Sequence, residues 1–155
     1  LKGKAGLGVA RSFRPDTVVC VNVLEHIEDD LGMLKAMRAL LPPGGKVLVF
    51  VPALQWLFGS MDETYGHQRR YAKSGLERLL RRAGFKVQGR RYLNLLGILG
   101  WWFNGKVLRR PIVPKGQMLL YDQVVRFVGS FERFLPRPIG LSLFCAAVKE
   151  GRSGA

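Results

Sequence analysis

From residue 16 onward the apolar and polar positions fall into short blocks whose period changes from block to block. Thr17-Val18-Val19-Cys20-Val21 is a continuous, largely β-branched run, the pattern of a strand covered on both faces of a parallel sheet. Asn22 to Glu28 then read as a polar-tipped turn. Asp29 or Asp30 caps a helix with Leu34, Met37 and Leu41 at i, i+3 and i+7, and Pro42-Pro43-Gly44-Gly45 stops it. A second apolar run, Lys46 to Val51, predicts the next strand. Strand, helix, proline-glycine stop and strand make a βαβ unit, so the fold class is α/β.

The connection from Pro52 to Tyr71 is long and rich in aromatic and charged residues, and loops of that length in compact domains tend to carry function. Ser74-Gly75-Leu76-Glu77 reads as a capping box for a helix with Leu76, Leu79, Leu80 and Ala83 on one face and Gly84 as its stop. Phe85 to Tyr92 reads as a third strand and Leu141 to Val148 as the last. Between them, residues 93–140 are the least regular stretch. They hold the apolar cluster Trp101-Trp102-Phe103 and a helical pattern from about Met118 to Phe134, with Leu120, Val124, Phe127 and Phe131 on one face. The expected organisation is one domain over residues 1–155: a core at 16–92, an insertion at 93–140 and a final strand at 141–149.

Charge changes this picture in one respect. Residues 1–77 carry 10 basic and 8 acidic side chains, residues 78–155 carry 15 and 3, and the chain totals +14 over 155 residues. So lopsided a field favours anionic ligands or surfaces. Cys20 and Cys145 both lie in apolar strand-like runs, which argues for buried reduced thiols and a cytoplasmic setting. No uninterrupted apolar run approaches the roughly 20 residues that cross a bilayer. Gly6-Leu7-Gly8 is no phosphate loop, because no strand precedes it and Arg11 stands where a third glycine belongs.

Ligands of open α/β sheets bind beyond the carboxyl ends of the parallel strands. That rule gathers Asn22, Glu25, His26, Asp62, Glu63, His67, Arg69 and Arg70 at one sheet edge. His26 and His67 are the candidate general bases, since an imidazole titrates near neutral pH. Tyr65, His67, Arg69, Arg70 and Trp101 are the candidate substrate contacts. No metal site is expected, because the two histidines lie forty-one residues apart and lack ligand spacing. Trp101-Trp102-Phe103 reads as core packing, as a cover for an apolar acceptor, or as a membrane-interface contact flanked by Arg109 and Arg110.

Three segments in order carry a resemblance. Asp16 to Asp29 resembles the fourth-strand motif of class I S-adenosylmethionine-dependent methyltransferases. Leu40 to Val49 resembles that family's helix end, glycine turn and fifth strand, and Gly66-His67-Gln68-Arg69-Arg70-Tyr71 with Leu80 to Phe85 resembles the segment that follows. The resemblance covers residues 16–92 closely and 141–149 loosely. It implies a Rossmann-like sheet with flanking helices and S-adenosylmethionine as cofactor, with Val21, Asn22 and His26 beside it. The implied reaction is methyl transfer to a small acceptor, lipid- or sugar-linked among the options. The family's first βαβ half, with its glycine-rich loop, has no counterpart upstream of Asp16, so the expected domain is a C-terminal portion. The rival reading is a non-catalytic basic module that holds nucleic acid or an anionic membrane surface. Nucleic acid is the weaker partner, because the aromatics lie in apolar runs rather than between Lys and Arg.

Overall fold

The computed structural model describes residues 13, 15–112, 116, 123 and 138–150. Among the described residues four strands form one mixed sheet: β1 (Thr17–Val21), β2 (Lys46–Pro52), β3 (Phe85–Leu93) and β4 (Ser142–Lys149), in the order β1-β2-β4-β3. β1 and β2 run parallel, and β4 is inserted antiparallel to both β2 and β3. The helices are α1 (Asp30–Leu40), α2 (Ser60–Thr64), α3 (Lys73–Arg82) and α4 (Gly97–Trp102), the last running into a π turn at Phe103–Val107. Apart from Gln123, the expected helix from Met118 to Phe134 lies outside the described residues.

The βαβ unit forms where the hydrophobic pattern puts it. Asp29 is the cap that α1 uses, its Oδ1 accepting from the Gly32 amide at 2.8 Å. Leu34 and Met37 face the core. Beyond α1, Gly44 adopts φ +79°, the left-handed conformation that a glycine reaches without steric cost. Lys149 Nζ donates to the Arg38 and Leu41 carbonyls at 3.1 and 2.6 Å, tying the last strand to the electronegative end of α1. Val47, Val49 and Val51 alternate into the core and are fully buried.

Two local expectations are corrected. The continuous run in β1 predicts cover on both faces, yet Cys20 is 2% exposed while Val19 and Val21 are 63% and 52% exposed. Among the described residues β1 is the edge strand and only one of its faces is packed. The capping box at Ser74 does not form. Tyr71 is bridged to Ala53, which delivers the chain in extended conformation to Ala72, and Ala72 becomes the N-cap without a side-chain bond. Ser74 then sits inside the first turn, and Glu77 pairs with Arg81 at 2.9 Å and with Arg90.

The cysteines behave as expected. Val49 pairs with Cys20 on one side and Cys145 on the other, which holds the two thiols two strand spacings, about 10 Å, apart and beyond disulfide reach. Both are free, and burial pushes each thiol up to about 11.

Candidate active site

The carboxyl ends of β1 and β2 meet the start of β4 around a cavity of about 400 Å³. Asn22 and His26 line it from the turn after β1, Phe50 and Pro52 from β2, and Leu141 and Ser142 from the entry to β4. Tyr65, His67 and Arg70 line it from the long loop, and Trp101 from α4. Both strand ends carry a left-handed residue outside glycine: Asn22 at φ +49° and Leu54 at φ +65°. Asparagine visits this region readily, whereas a leucine there is strained. Leu54 is held by the hydrogen bond its backbone N–H donates to the Tyr71 carbonyl at 3.2 Å.

Asp62 organises one wall. Its side chain is fully buried and accepts four bonds: from the Gly59 amide at 3.1 Å, His67 Nδ1 at 2.8 Å, Arg70 Nε at 2.9 Å and Trp101 Nε1 at 3.2 Å. Arg70 also donates to the Ala53 carbonyl at 3.0 Å and stacks over the Trp101 ring at 4.5 Å. Burial draws its guanidinium below the ordinary value, opposed by Asp62. The other three partners of Asp62 are donors, and the tautomer of His67 that completes the set places its proton on Nδ1, facing the carboxylate. His67 Nε2 is left as an acceptor beside the cavity, with only 11% of the side chain exposed.

The run from Gly66 to Tyr71 laces the two strand-end loops together. The Gln68 amide donates to the Glu25 carbonyl at 2.8 Å, and Arg69 pairs with Asp30 at 3.0 Å and donates to the Glu28 carbonyl. The Tyr71 hydroxyl lies 3.1 Å from the Leu24 carbonyl and 3.0 Å from Asp30. Burial, and then the Asp30 carboxylate, push that phenol far above its usual range.

Of the candidate bases, cofactor contacts and substrate contacts named in the sequence, the fold brings Asn22, His26, Tyr65, His67, Arg70 and Trp101 to the cavity and leaves two away from it. Arg69 is turned toward Asp30, where it serves the loop, and Val21 is not among the lining residues. Arg70 lines the cavity with its charge already matched by Asp62. Sequence reasoning missed the hub role of Asp62 and the contribution of Leu141 and Ser142, which no local spacing signals. Nor does any local spacing signal the environment of Glu25. Glu25 is fully buried, and neither carboxylate oxygen has a hydrogen-bond partner among the described residues. Burial raises its carboxyl above the ordinary value, against the pull of its own backbone amide, His67, His26 and Arg70.

The forty-one residues between His26 and His67 do not keep them apart: their rings meet edge-on with centroids 4.8 Å apart. Elsewhere, Trp102 and Phe103 are about half exposed near Lys106, Arg109 and Arg110. Among the described residues no helix is long and apolar enough to cross a membrane.

Known proteins resemble this chain in sequence and in fold. A family model described as a methyltransferase domain matches residues 3–89. A tRNA U34 carboxymethyltransferase of Trichodesmium erythraeum (strain IMS101) is 34% identical over 80 residues. That match covers 45% of this chain and 24% of the relative, so the chain spans about a quarter of that protein's length. Two solved structures share the fold. An S-adenosylmethionine-dependent methyltransferase from Mesorhizobium loti has a TM-score of 0.53 at 12% identity, over 86% of this chain and 61% of that one. One from Archaeoglobus fulgidus has a TM-score of 0.51 at 14% identity, over 96% and 66%.

Proposed function

The chain belongs to the class I S-adenosylmethionine-dependent methyltransferases, and from that premise we propose that the cavity at the ends of β1 and β2 is where a methyl group passes to a small acceptor. The observation that carries the reading is His67, oriented by buried Asp62 with Nε2 left beside the cavity. The strand end fits the donor in part: the exposed turn at Val21-Asn22 is held open by the left-handed Asn22, whose side chain borders the cavity together with His26. When bound, S-adenosylmethionine supplies an electrophilic methyl group. Asn22 and His26 are the residues that would contact it.

The chain's own side chains handle the acceptor. His67 Nε2 takes the proton from an acceptor hydroxyl or amine, and the Asp62 carboxylate stabilises the imidazolium that results. Tyr65 and Trp101, with ring centroids 6.4 Å apart, form an aromatic wall that excludes water and favours an acceptor with an apolar or planar body. A volume of about 400 Å³ suits a small molecule or the end of a larger one. Exposed Leu99, Trp102 and Phe103 beside Lys106, Arg109 and Arg110 support peripheral contact with an anionic membrane, which cosedimentation with anionic but not neutral vesicles tests.

An RNA acceptor is the second reading, favoured by the net charge of +14 and by the tRNA substrate in the relative's name. The two separate by salt: RNA binding weakens steeply with ionic strength, whereas binding of a small neutral acceptor does not.

The primary test is calorimetric titration of the full chain with S-adenosylhomocysteine, followed by turnover assays. Saturable binding that Asn22→Ala weakens, and a loss of methyl transfer of about 10²–10⁴-fold in His67→Gln with donor binding retained, are the expected results. Absence of saturable heat up to about 1 mM ligand overturns the reading.

A further inference from the structure

Two histidines and a buried carboxylate converge under the cavity. Glu25, His26 and His67 each offer a ligand atom, and these atoms lie within 4.8 Å of one another. The tautomers are set by the partners. His26 Nδ1 lies 3.2 Å from the Gly66 carbonyl and His67 Nδ1 lies 2.8 Å from Asp62, and both partners only accept. In the neutral imidazole each Nδ1 therefore carries the proton, and each Nε2 presents a lone pair. A ligating imidazole is commonly oriented through just such a bond from its other nitrogen to a carboxylate or carbonyl.

Glu25 supplies the second, independent observation. A fully buried carboxylate with no hydrogen-bond partner among the described residues is costly unless something positive sits against it. Arg70, the nearby fixed cation, has its charge balanced by Asp62. Asp62 itself is no ligand, since its oxygens are taken up by four donors.

We propose that Glu25, His26 and His67 bind one divalent transition-metal ion, with a coordination position left open toward the cavity. One carboxylate with two imidazoles is a donor set that suits Zn²⁺, Co²⁺ or Fe²⁺, not Mg²⁺ or Ca²⁺, which favour all-oxygen shells. With metal–ligand bonds of about 2.1 Å, ligands of a tetrahedral ion stand about 3.4 Å apart, so loading draws in atoms that now lie within 4.8 Å of one another by at most about 1.4 Å. His26, on its short turn, is the most exposed of the three. Cation binding stands apart from the methyl-transfer reading, and only its consequence rests on that reading. A loaded site takes His67 Nε2 out of proton transfer and instead acidifies a coordinated acceptor hydroxyl, whose proton passes to solvent water at the cavity mouth.

The test titrates Co²⁺ into the full chain after treatment with chelator and its removal, reading the visible d–d bands, and measures Zn²⁺ uptake by equilibrium dialysis. The expected result is one ion per chain, Co²⁺ bands of a four- or five-coordinate site that Zn²⁺ bleaches, and affinity lowered on the order of 100-fold in both Glu25→Gln and His26→Ala. His26 is exposed, so His26→Ala keeps the test valid should Glu25→Gln alter folding, which thermal melts of both variants monitor. No saturable band, or uptake unchanged in the two variants, overturns the proposal. Titration of S-adenosylhomocysteine in chelator separates the two claims. Donor binding in a chain that takes no Co²⁺ sinks the cation site alone, and Co²⁺ binding in a chain that takes no donor sinks the methyl-transfer reading alone.

Discussion

The turn after β1 and the loop after β2 each bury one carboxylate completely, and the two are treated in opposite ways. Asp62, in the loop, is surrounded by four donors and has a guanidinium against it. Glu25, in the turn, has none among the described residues. A buried charge that is fully paired holds structure together, because removing it strands its partners. A buried charge without partners weighs against stability, and such groups concentrate where a protein binds or reacts. The long loop is thus the scaffold of the site, and the short turn holds the residue the scaffold leaves unsatisfied.

The contrast can be broken most strongly at Asp62. Asp62→Ala leaves Arg70 buried without its counter-ion, and a loss of about 3–5 kcal/mol in urea unfolding is expected. A loss within experimental error would mean that Asp62 is no hub. Trp101→Phe removes one of the four donors while keeping an aromatic ring over Arg70, so a smaller loss of about 2 kcal/mol is expected from the same measurement.

Glu25 should respond with the opposite sign. In chelator near pH 8, Glu25→Gln is expected to gain about 1–2 kcal/mol, since a neutral amide is cheaper to bury than a bare carboxylate. The pH dependence follows from the raised carboxyl. Between the unfolded-state value near about 4.3 and its higher folded value, the native protein binds more protons than the unfolded chain. Wild-type stability from this group is therefore present at low pH and lost as pH rises, so the variant's advantage should shrink as melts are taken from about pH 8 toward about pH 4.5. An advantage that stays constant, or a destabilised variant, would place an unseen partner on Glu25. Asp29 calibrates the scale: it is exposed and makes a single capping bond, so Asp29→Ala should cost about 1 kcal/mol with no change in donor binding.

Much of the fold was legible because local patterns carry it. The Val18 to Val21 and Lys46 to Val51 runs, the Asp29 cap and the Pro42 to Gly45 stop each state a backbone preference that the βαβ unit satisfies. Ser74 misled because a capping signal reads the same whether or not the preceding chain is held elsewhere, and the Ala53–Tyr71 bridge holds it. The exposed face of β1 was illegible for a similar reason: apolar character along a strand does not say what packs against it. In the site, chemistry-bearing residues were readable by type and by their place at strand ends. Their pairing was not, as Arg69 and Arg70 show, adjacent in sequence yet committed to Asp30 and Asp62 respectively.

The sequence by itself determined the α/β class, the edge of the sheet at which polar residues collect, and the family, because periodicity and strand-end motifs are local properties of the chain. Only the tertiary structure decided that β4 runs between β2 and β3, that Leu141 and Ser142 close the cavity, and that His26 and His67 stand 4.8 Å apart over a buried Glu25. Those outcomes depend on burial and on contacts between residues far apart in the chain. The cost of hiding a charge, and the partners available to offset it, exist only once the loops have been brought together.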